Sequence, residues 1–552
     1  MNMPSFLFIL SAWFLATVPV SAQMTASGDD DLFDLKRNFE VFGSLYEEIV
    51  INYVDRVRPQ PFMRAGIDAM LERLDPYTRF YDQADNVDMT LLGRGQLADV
   101  GLNIGMRQGV LTVLAPEEGT SAYKQGVRTG DVLLSLEGVD VSTMTVRDVV
   151  GLLQGEAGST VEISVRRTGR NSPLTFVLRR ARPSMLNVSY SGYLNDDTTA
   201  GIGYVRLDQF GRRSAREVRR AFQAMQREGG LKALVLDLRN NPGGILSEAI
   251  DMVELFVPGG SLVVTTRGRQ EAFTRPYRTA NEPVFPDLPV AVLIDEYSAS
   301  ASEIVAGALQ DLDRAVIMGE TSFGKGLVQV VRSLPYNTTM KITVAHYYTP
   351  SGRDIQSRRI ASQSAEIASP DVRSFRSAAG REVRSGIGIE PDIEIRKEAI
   401  SELEADLDRR GAFFLFANEY VVRPSSDPDM MPTLDDAELS RSFSDWLDGR
   451  RFSFTSSAES LIDSLSARLR TSGYDKVEER LGGIRTALLA EKAKDFDRYK
   501  DRILQRLRAE ISARYLSTSE QIRQSLRLDR VASEAALLLG DRNAYARILH
   551  PR

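Results

Sequence analysis

Apolar residues recur at helical intervals from Leu32 to Leu74, first as Leu35, Phe39, Phe42, Leu45, Tyr46 and Ile49, then as Met63, Ile67, Met70, Leu71 and Leu74. The spacing predicts a helical N-terminal region, entered through a polar leader at Asp29-Asp30-Asp31. Strand-like runs follow at Val132–Leu134 and Val161–Val165, separated by a helix carrying Val146, Val149, Val150 and Leu153. From Lys232 onward, strand and helix take turns. Lys232–Leu238 and Pro289–Ile294 are short apolar runs of the kind buried in a sheet, and each precedes a helical pattern, Ile245–Val257 and Glu303–Leu312. In the second helix Ile304, Val305, Ala308, Leu309 and Leu312 keep helical spacing. An α/β core on a mixed sheet is therefore predicted. Beyond residue 399 come the apolar Phe413–Phe416, a Pro-rich break at Pro424–Pro432, and charged amphipathic helices such as Leu461–Leu469 and Leu488–Leu507. No internal repeat is visible.

At 552 residues, 43% hydrophobic and 26% charged, the chain is globular and has room for about three or four domains. A net charge of −6 argues against a nucleic-acid partner and leaves the substrate open. Phe6–Val18 is apolar but too short to span a bilayer, and Val20-Ser21-Ala22 has the small residues of a signal-peptidase site. Residues 1–22 are thus expected to be a signal peptide, giving an exported, periplasmic protein, or a membrane-associated one if the signal stays uncleaved. The absence of Cys rules out disulfides and a lipoprotein attachment site, and is compatible with an oxidising compartment.

Candidate chemistry concentrates in Tyr297-Ser298-Ala299-Ser300-Ala301-Ser302-Glu303 and in Gly324-Lys325-Gly326. A serine hydroxyl becomes a good nucleophile when a base takes its proton, and lysine can be that base only as the neutral amine. An ordinary lysine titrates near 10.4, so work near pH 7 needs a shift of about 3 units, which burial supplies by disfavouring the ammonium form. Phe323, Leu327, Val328 and Val330 give Lys325 apolar surroundings. A cysteine nucleophile is excluded, and a Ser-His-Asp triad would rest on His346 or His550. Ser300 falls where strand meets helix, so free N–H groups and the helix dipole favour negative charge there, and the Ala301 N–H is a natural oxyanion donor. Taken alone, Ser298, Ser300 and Ser302 read first as plain helix caps, the commonest role of serine before an apolar helix. Asn240–Gly244 likewise joins strand to helix, where a parallel sheet presents backbone amides to a ligand and glycine permits close approach. It is otherwise an ordinary turn leading into a helix. Gly319–Lys325 fits a phosphate-binding loop up to its lysine, but Gly326 stands where Ser or Thr should bind Mg²⁺ and a strand-like run follows, so nucleotide hydrolysis is disfavoured. No metal-ligand cluster is visible and no cofactor is expected.

Asp237-Leu238-Arg239-Asn240-Asn241-Pro242-Gly243-Gly244, the run Asp295–Glu303, Gly319–Gly326 with Gln329, Ala345–Arg353, and Gly388-Ile389-Glu390-Pro391-Asp392 together resemble, in order, the C-terminal processing peptidases, or tail-specific proteases. The resemblance covers about residues 90–395. It implies a serine endopeptidase with a Ser/Lys dyad, in which Ser300 is the nucleophile, Lys325 the general base and Gln329 the residue orienting the lysine. Ala301, with Gly243 or Gly244 opposite, would form the oxyanion hole. Residues 88–182 look like a PDZ domain, on Gly101-Leu102-Asn103-Ile104, Gly119–Ala122 leading to Gly126, the Gly130-Asp131 turn, and Gly138 with Asp140. Such domains add an extended C-terminus as a strand and hold its carboxylate on backbone amides. Gly101, Leu102, Asn103 and Ile104 would be that loop. Asn103 departs from the usual Gly-hydrophobic-Gly pattern, and Gln154 stands where Arg is common.

The implied organisation is a signal peptide (1–22), a helical N-terminal region (23–87), a PDZ domain (88–182), a protease core (183–398) and a helical C-terminal domain (399–552). Implied partners are protein or peptide substrates with exposed, flexible C-termini. The N-terminal helices would join copies into a homodimer or higher oligomer, or only pack; the C-terminal domain would support the core, cap the cleft or meet another subunit, or only pack and solubilise; an adaptor protein is a further partner. A catalytically silent PDZ scaffold of the cell envelope is the alternative, and the joint presence of Ser300, Lys325 and Gln329 speaks against it.

Overall fold

The computed structural model describes residues 29–82, 98–182, 187–357, 372–422 and 431–550. The expected signal peptide, the start of the PDZ region and most of the Pro-rich break lie outside them. The chain forms two compact units that divide after Met70. In the first, α1 (Asp29–Asn52) is followed by α2 (Pro59–Glu72). Proline at the first helical position of α2 has no N–H to lose, which suits it to open the second helix. Tyr46 stacks on Phe62 with ring centroids 6.1 Å apart and donates to Pro59 O at 2.8 Å. Asp29–Asp31 is not a free leader: it forms the first turn of α1.

The second unit opens with β1 (Arg79–Tyr81). A largely antiparallel sheet in the order β2-β3-β4-β5-β6 follows, from β2 (Leu102–Arg107), β3 (Val110–Pro116), β4 (Val132–Leu136), β5 (Thr160–Arg166) and β6 (Leu174–Arg179). Helix α3 (Val146–Leu153), started by a Thr145/Asp148 capping box, buries Val149 and Leu153 in the same core as Val113, Ile163 and Leu178. β2 is an edge strand of this sheet.

The catalytic-looking segments belong to a six-stranded mixed sheet. The elements of this region are β7 (Val188–Tyr193), β8 (Ile202–Leu207), α4 (Ser214–Glu228), β9 (Ala233–Asp237), α5 (Leu246–Glu254), β10 (Leu262–Gly268), β11 (Arg275–Arg278), β12 (Val290–Ile294), α6 (Ala301–Asp311), β13 (Val316–Gly319), β14 (Leu327–Leu334), β15 (Thr338–Tyr348) and β16 (Ile393–Glu394). The sheet order is β16-β13-β12-β9-β8-β7, parallel throughout except for β7 on β8. β10, β11, β14 and β15, joined by β1 on β15, make a second, antiparallel sheet. Every residue of α6 is buried, so its apolar positions run all round the helix rather than along one stripe. Burying each of Ile304, Val305 and Leu309 there stabilises the fold by roughly 1.5–3 kcal/mol.

Helices also close the chain: α7 (Glu402–Arg409), α8 (Ala412–Tyr420), α9 (Asp436–Gly449), α10 (Ser457–Thr471), α11 (Asp475–Lys492), α12 (Lys500–Ser512), α13 (Thr518–Leu526), α14 (Arg530–Gly540) and α15 (Arg542–Leu549). The expected continuous helix Leu488–Leu507 is broken between Lys492 and Lys500. Phe496 and Tyr499 turn into an aromatic cluster with Phe443, and Lys492 pairs with Glu459 at 2.6 Å, which redirects the chain. α7, α8, α9 and α12 share their own core. α13–α15 instead cover the face of the six-stranded sheet opposite α4–α6: Ala532, Ala535 and Leu539 meet Val235, Ala291 and Leu293.

Candidate active site

Ser300 stands at the junction of β12 and α6 with φ 55° and ψ −110°, a backbone geometry that a non-glycine residue holds only when its surroundings enforce it. The neighbouring serines do some of the enforcing. Ser298 Oγ donates to Leu238 O at 2.8 Å and Ser302 Oγ to Asn241 O at 2.9 Å, both side chains fully buried. Ser300 is the one serine of the three that retains exposure. Asp295, 1% exposed, accepts from Asn240 N at 2.9 Å and Tyr297 N at 3.1 Å through Oδ1, and from Lys397 Nζ at 2.9 Å through Oδ2.

The turn after β9 lies directly against this serine. Ala299 N donates to Asn241 O at 3.0 Å, and Asn241 Nδ2 anchors the turn to Leu207 O at 2.7 Å. A Cβ placed on Gly243 would sit 2.8 Å from Ala301 N and 2.9 Å from Ser300 Cβ, so the close approach requires glycine. The two glycines are not equivalent. Gly243 N–H is already given to Asn241 Oδ1 at 2.9 Å, whereas the N–H groups of Gly244 and Ala301 have no acceptor among the described residues. Ala301 is buried and Gly244 exposed, and both N–H groups stand free beside Ser300, where they suit an incoming oxyanion.

Lys325 lies on the turn between β13 and β14, and Glu303 brings that turn to the serine. The Glu303 carboxylate is fully buried; its Oε2 accepts from Ser300 N at 2.8 Å and Lys325 N at 2.9 Å, and its Oε1 from Gly324 N and Ser322 Oγ, both at 2.6 Å. Burial pushes this carboxyl above the ordinary range, against the pull of four donors. Burial first, and the like charge of Lys341 second, hold the Lys325 amine below the ordinary lysine value, opposed by Glu303 and Asp75. Lys325 Nζ rests 4.6 Å from the centre of the Tyr77 ring. Tyr77 itself is pushed up to about 12 by burial and by the carboxylates of Glu303 and Asp75, and its hydroxyl is buried without a partner among the described residues. Gln329 Nε2 donates to Leu327 O and to Thr343 Oγ1, both at 3.3 Å. His346 lies on β15 opposite Leu327, with Nδ1 3.3 Å from Asp354 Oδ2.

The structure brings the segments of Ser300, Ala301, Gly243, Gly244 and Lys325 together, and beside them stand Glu303 and Tyr77, which the sequence analysis did not single out as candidates. Ser300-x-x-Glu303 has the spacing of a capping box, and that signal alone would have pointed Glu303 back at Ser300. Tyr77 had no comparable local signal.

In the PDZ region, Leu102, Asn103 and Ile104 lie on the edge strand β2, as strand addition requires. Gly101, φ 76°, gives its N–H to Asp99 Oδ1 at 3.0 Å. Glu117 N donates to Gly101 O at 2.9 Å, and the Glu117 carboxyl is raised by burial and then by Asp99. Arg180 occupies the C-terminal end of α3, donating to Leu153 O and Leu152 O, both at 2.9 Å.

Among the described residues no group of side chains could hold a metal, and no helix is long and apolar enough to cross a membrane. Residues 201–366 match Peptidase family S41, residues 112–167 a PDZ domain, and residues 403–539 the C-terminal helical domain of a probable PDZ-protease. A carboxy-terminal-processing protease of Bartonella bacilliformis is 33% identical over 352 residues, 63% of this chain and 79% of that protein. A carboxyl-terminal-processing protease of Synechocystis is 36% identical over 311 residues, 55% of this chain and 71% of that protein. The solved photosystem II D1 C-terminal processing protease is similar at 29% identity, with a TM-score of 0.38 over 66% of this chain and 90% of that one. With a mixed α/β fold, a PDZ domain and this degree of identity to relatives covered over most of their length, the chain belongs to the carboxy-terminal-processing serine proteases of peptidase family S41.

Proposed function

We propose that this protein is an exported endopeptidase working through a Ser300/Lys325 dyad. The observation that supports it best is the single Glu303 oxygen that accepts from both Ser300 N and Lys325 N, at 2.8 and 2.9 Å, tying the backbone that carries the nucleophile to the backbone that carries the base. Neutral Lys325 takes the proton from Ser300 Oγ as the oxygen attacks the peptide carbonyl. The N–H groups of Ala301 and Gly244 receive the developing oxyanion. As the tetrahedral species collapses, the lysine ammonium returns the proton to the departing amine, and a water deprotonated by the same lysine then frees the acyl group. Gln329, with its amide nitrogen committed to Leu327 O and Thr343 Oγ1, offers its oxygen to a hydrogen of the Lys325 amine and orients the lone pair.

The PDZ domain recruits flexible C-termini by adding them to β2. The Phe6–Val18 stretch ending at Ala22 directs export to the periplasm, which N-terminal sequencing of the mature protein would test. For the activity, an unfolded polypeptide is incubated with the enzyme and its fragments are sequenced. Internal cleavage that disappears in Ser300→Ala is the expected result; full cleavage by that variant overturns the assignment.

A further inference from the structure

The turn proposed to carry the second oxyanion donor is held in an unusual conformation, with φ of 59°, 95° and 149° at Asn240, Gly243 and Gly244. Asn240 lacks the freedom of glycine, so contacts around it must maintain that geometry. Arg239 leads into the turn and is gripped from two directions. Its Nε lies 3.0 Å from both oxygens of Asp237, at the end of β9, and its Nη2 lies 2.5 Å from Asp237 Oδ2. Tyr204 OH donates to the same carboxylate at 2.5 Å. On the far side, Arg239 Nη1 and Nη2 donate to Asp529 Oδ1 and Oδ2 at 3.1 and 2.6 Å, a planar two-point pairing that fixes the guanidinium in position as well as in charge.

Asp529 belongs to the opposite face of the sheet. It caps α14, accepting from Ala532 N at 3.0 Å, and α14 is held to the sheet by buried Ala532 and Ala535. One guanidinium thus connects a rigid helix behind the sheet to the turn in front of Ser300. Arg239 is 13% exposed, so losing either carboxylate leaves nearly buried donors unmatched, and the side chain must move to find others. Such movement pulls on the backbone entering Asn240. Of the other ties on the turn, those to Asp295, Leu207 and Phe210 come from the front of the core, so Asp529 alone among them relays the position of the C-terminal helices.

The geometry points to Asp529 as a positioning residue for peptide hydrolysis: through Arg239 it sets the Asn240–Gly244 turn and keeps the Gly244 N–H aimed at the oxyanion. The C-terminal helical layer is then a working part of the protease site. This rests on Ser300 and Gly244 having the roles proposed above. Asn caps helices as well as Asp does, so Asp529→Asn preserves the start of α14 while removing the charge that grips Arg239. With a fluorogenic peptide cut by the full-length protein, kcat should fall about tenfold, less than the 10²–10³-fold cost of deleting an oxyanion donor outright. KM should stay within about twofold, because the oxyanion donor acts only in the transition state. A peptide aldehyde, whose serine adduct mimics the tetrahedral species, should lose affinity by the same factor as kcat, and Asp529→Glu should recover part of both.

A wild-type kcat in Asp529→Asn overturns the proposal. So does a loss of kcat that merely tracks a fall in melting temperature and leaves aldehyde affinity per folded molecule unchanged, and Arg239→Lys, which keeps charge but not the fork, provides the same comparison if Asp529→Asn folds poorly. Ser300→Ala is measured alongside: if it stays active the site assignment fails, whereas an inactive Ser300→Ala beside a normal Asp529→Asn removes the Asp529 role alone.

Discussion

The two faces of the six-stranded sheet do different work with similar elements. In front, α4–α6 come from the chain between the strands, and the strand ends nearby hold a dense set of polar contacts: Asn241, Asp295, Ser298, Ser302 and Glu303, all buried and all bonded. Behind, α13–α15 arrive from the far end of the chain and meet the sheet with Ala, Val and Leu. There the polar contacts gather in two places: Tyr545, whose hydroxyl engages both N and O of Val290 at 3.0 Å, and the cluster of Asp237, Tyr204, Arg239 and Asp529. Buried polar groups are tolerated in front because each is satisfied, and together they fix strained backbone at Asn240 and Ser300 that apolar packing could not specify. The back face supplies adhesion. If that division holds, substitutions in front should cost activity and those behind should cost stability.

The largest effect should come from the nucleophile. Ser300→Ala should lower peptide hydrolysis by at least about 10³-fold with the melting temperature little changed, measured by fluorogenic turnover and calorimetry. Lys325→Arg should be similarly inactive, since guanidinium stays protonated across the accessible pH range. Turnover in Lys325→Arg at the wild-type level would move the base role elsewhere. Next, Glu303→Ala should cost both quantities, because Ser300 N, Lys325 N, Gly324 N and Ser322 Oγ would lose their shared acceptor. Leaving several buried donors unmatched costs about 3 kcal/mol or more, and kcat should drop at least about 10²-fold. Intact stability with lost activity would show that Glu303 acts only on the chemistry, and the reverse would make it purely structural.

The pH dependence separates the faces further. Burial and Lys341 lower the Lys325 pKa, so as pH rises the base becomes neutral earlier than an ordinary lysine. Activity should therefore climb with pH and reach its plateau below the ordinary lysine value. Lys341→Ala removes a like charge, lets the Lys325 pKa rise, and should move the climb to higher pH; an unmoved profile would detach Lys341, or Lys325 itself, from the rate. Behind the sheet, Leu539→Ala should destabilise by about 2–3 kcal/mol in chemical denaturation while leaving kcat of the folded enzyme unchanged. A specific loss of kcat there would mean that the back face as a whole, and not Asp529 in particular, communicates with the site.

The same contrast governs what could be read from residues alone. Ser300, Lys325 and the Asn240–Gly244 turn lie at strand ends marked by small residues and glycine, where backbone geometry limits the choice of residue, so short segments disclose their place. Glu303 was hidden in plain view, since a glutamate in the first turn of a helix normally faces solvent and here turns inward because β14 brings the Lys325 turn over it. Ala535 and Leu539 carry helical spacing but nothing that names their partner: an apolar stripe says that a face is buried, and its fit to β9, β12 and β13 is decided only in three dimensions. The break between Lys492 and Lys500 follows similarly from the distant Phe443 and Glu459.

The smallest effect expected concerns Gly101–Ile104, where the glycine and apolar residues suggested a carboxylate-binding loop, whereas Leu102–Ile104 run along the edge strand β2 and the charge beside them was not foreseen. Gly101 already donates its N–H to Asp99, and Glu117 stands beside it with a carboxyl raised by burial and by Asp99. A substrate carboxylate docking at Gly101–Ile104 would bring a third negative charge to this turn, at a cost near 1 kcal/mol for exposed groups. Asp99→Asn keeps an oxygen for Gly101 and removes one of those charges. A peptide with a free apolar C-terminus should then bind the full-length Ser300→Ala protein several-fold more tightly, while its amidated counterpart should be unaffected. Acidification that protonates Glu117 should act in the same direction, and high salt should shrink the gain. Equal responses of the free and amidated peptides would show that substrates add to β2 without presenting their carboxylate to this loop, leaving selection to side chains alone.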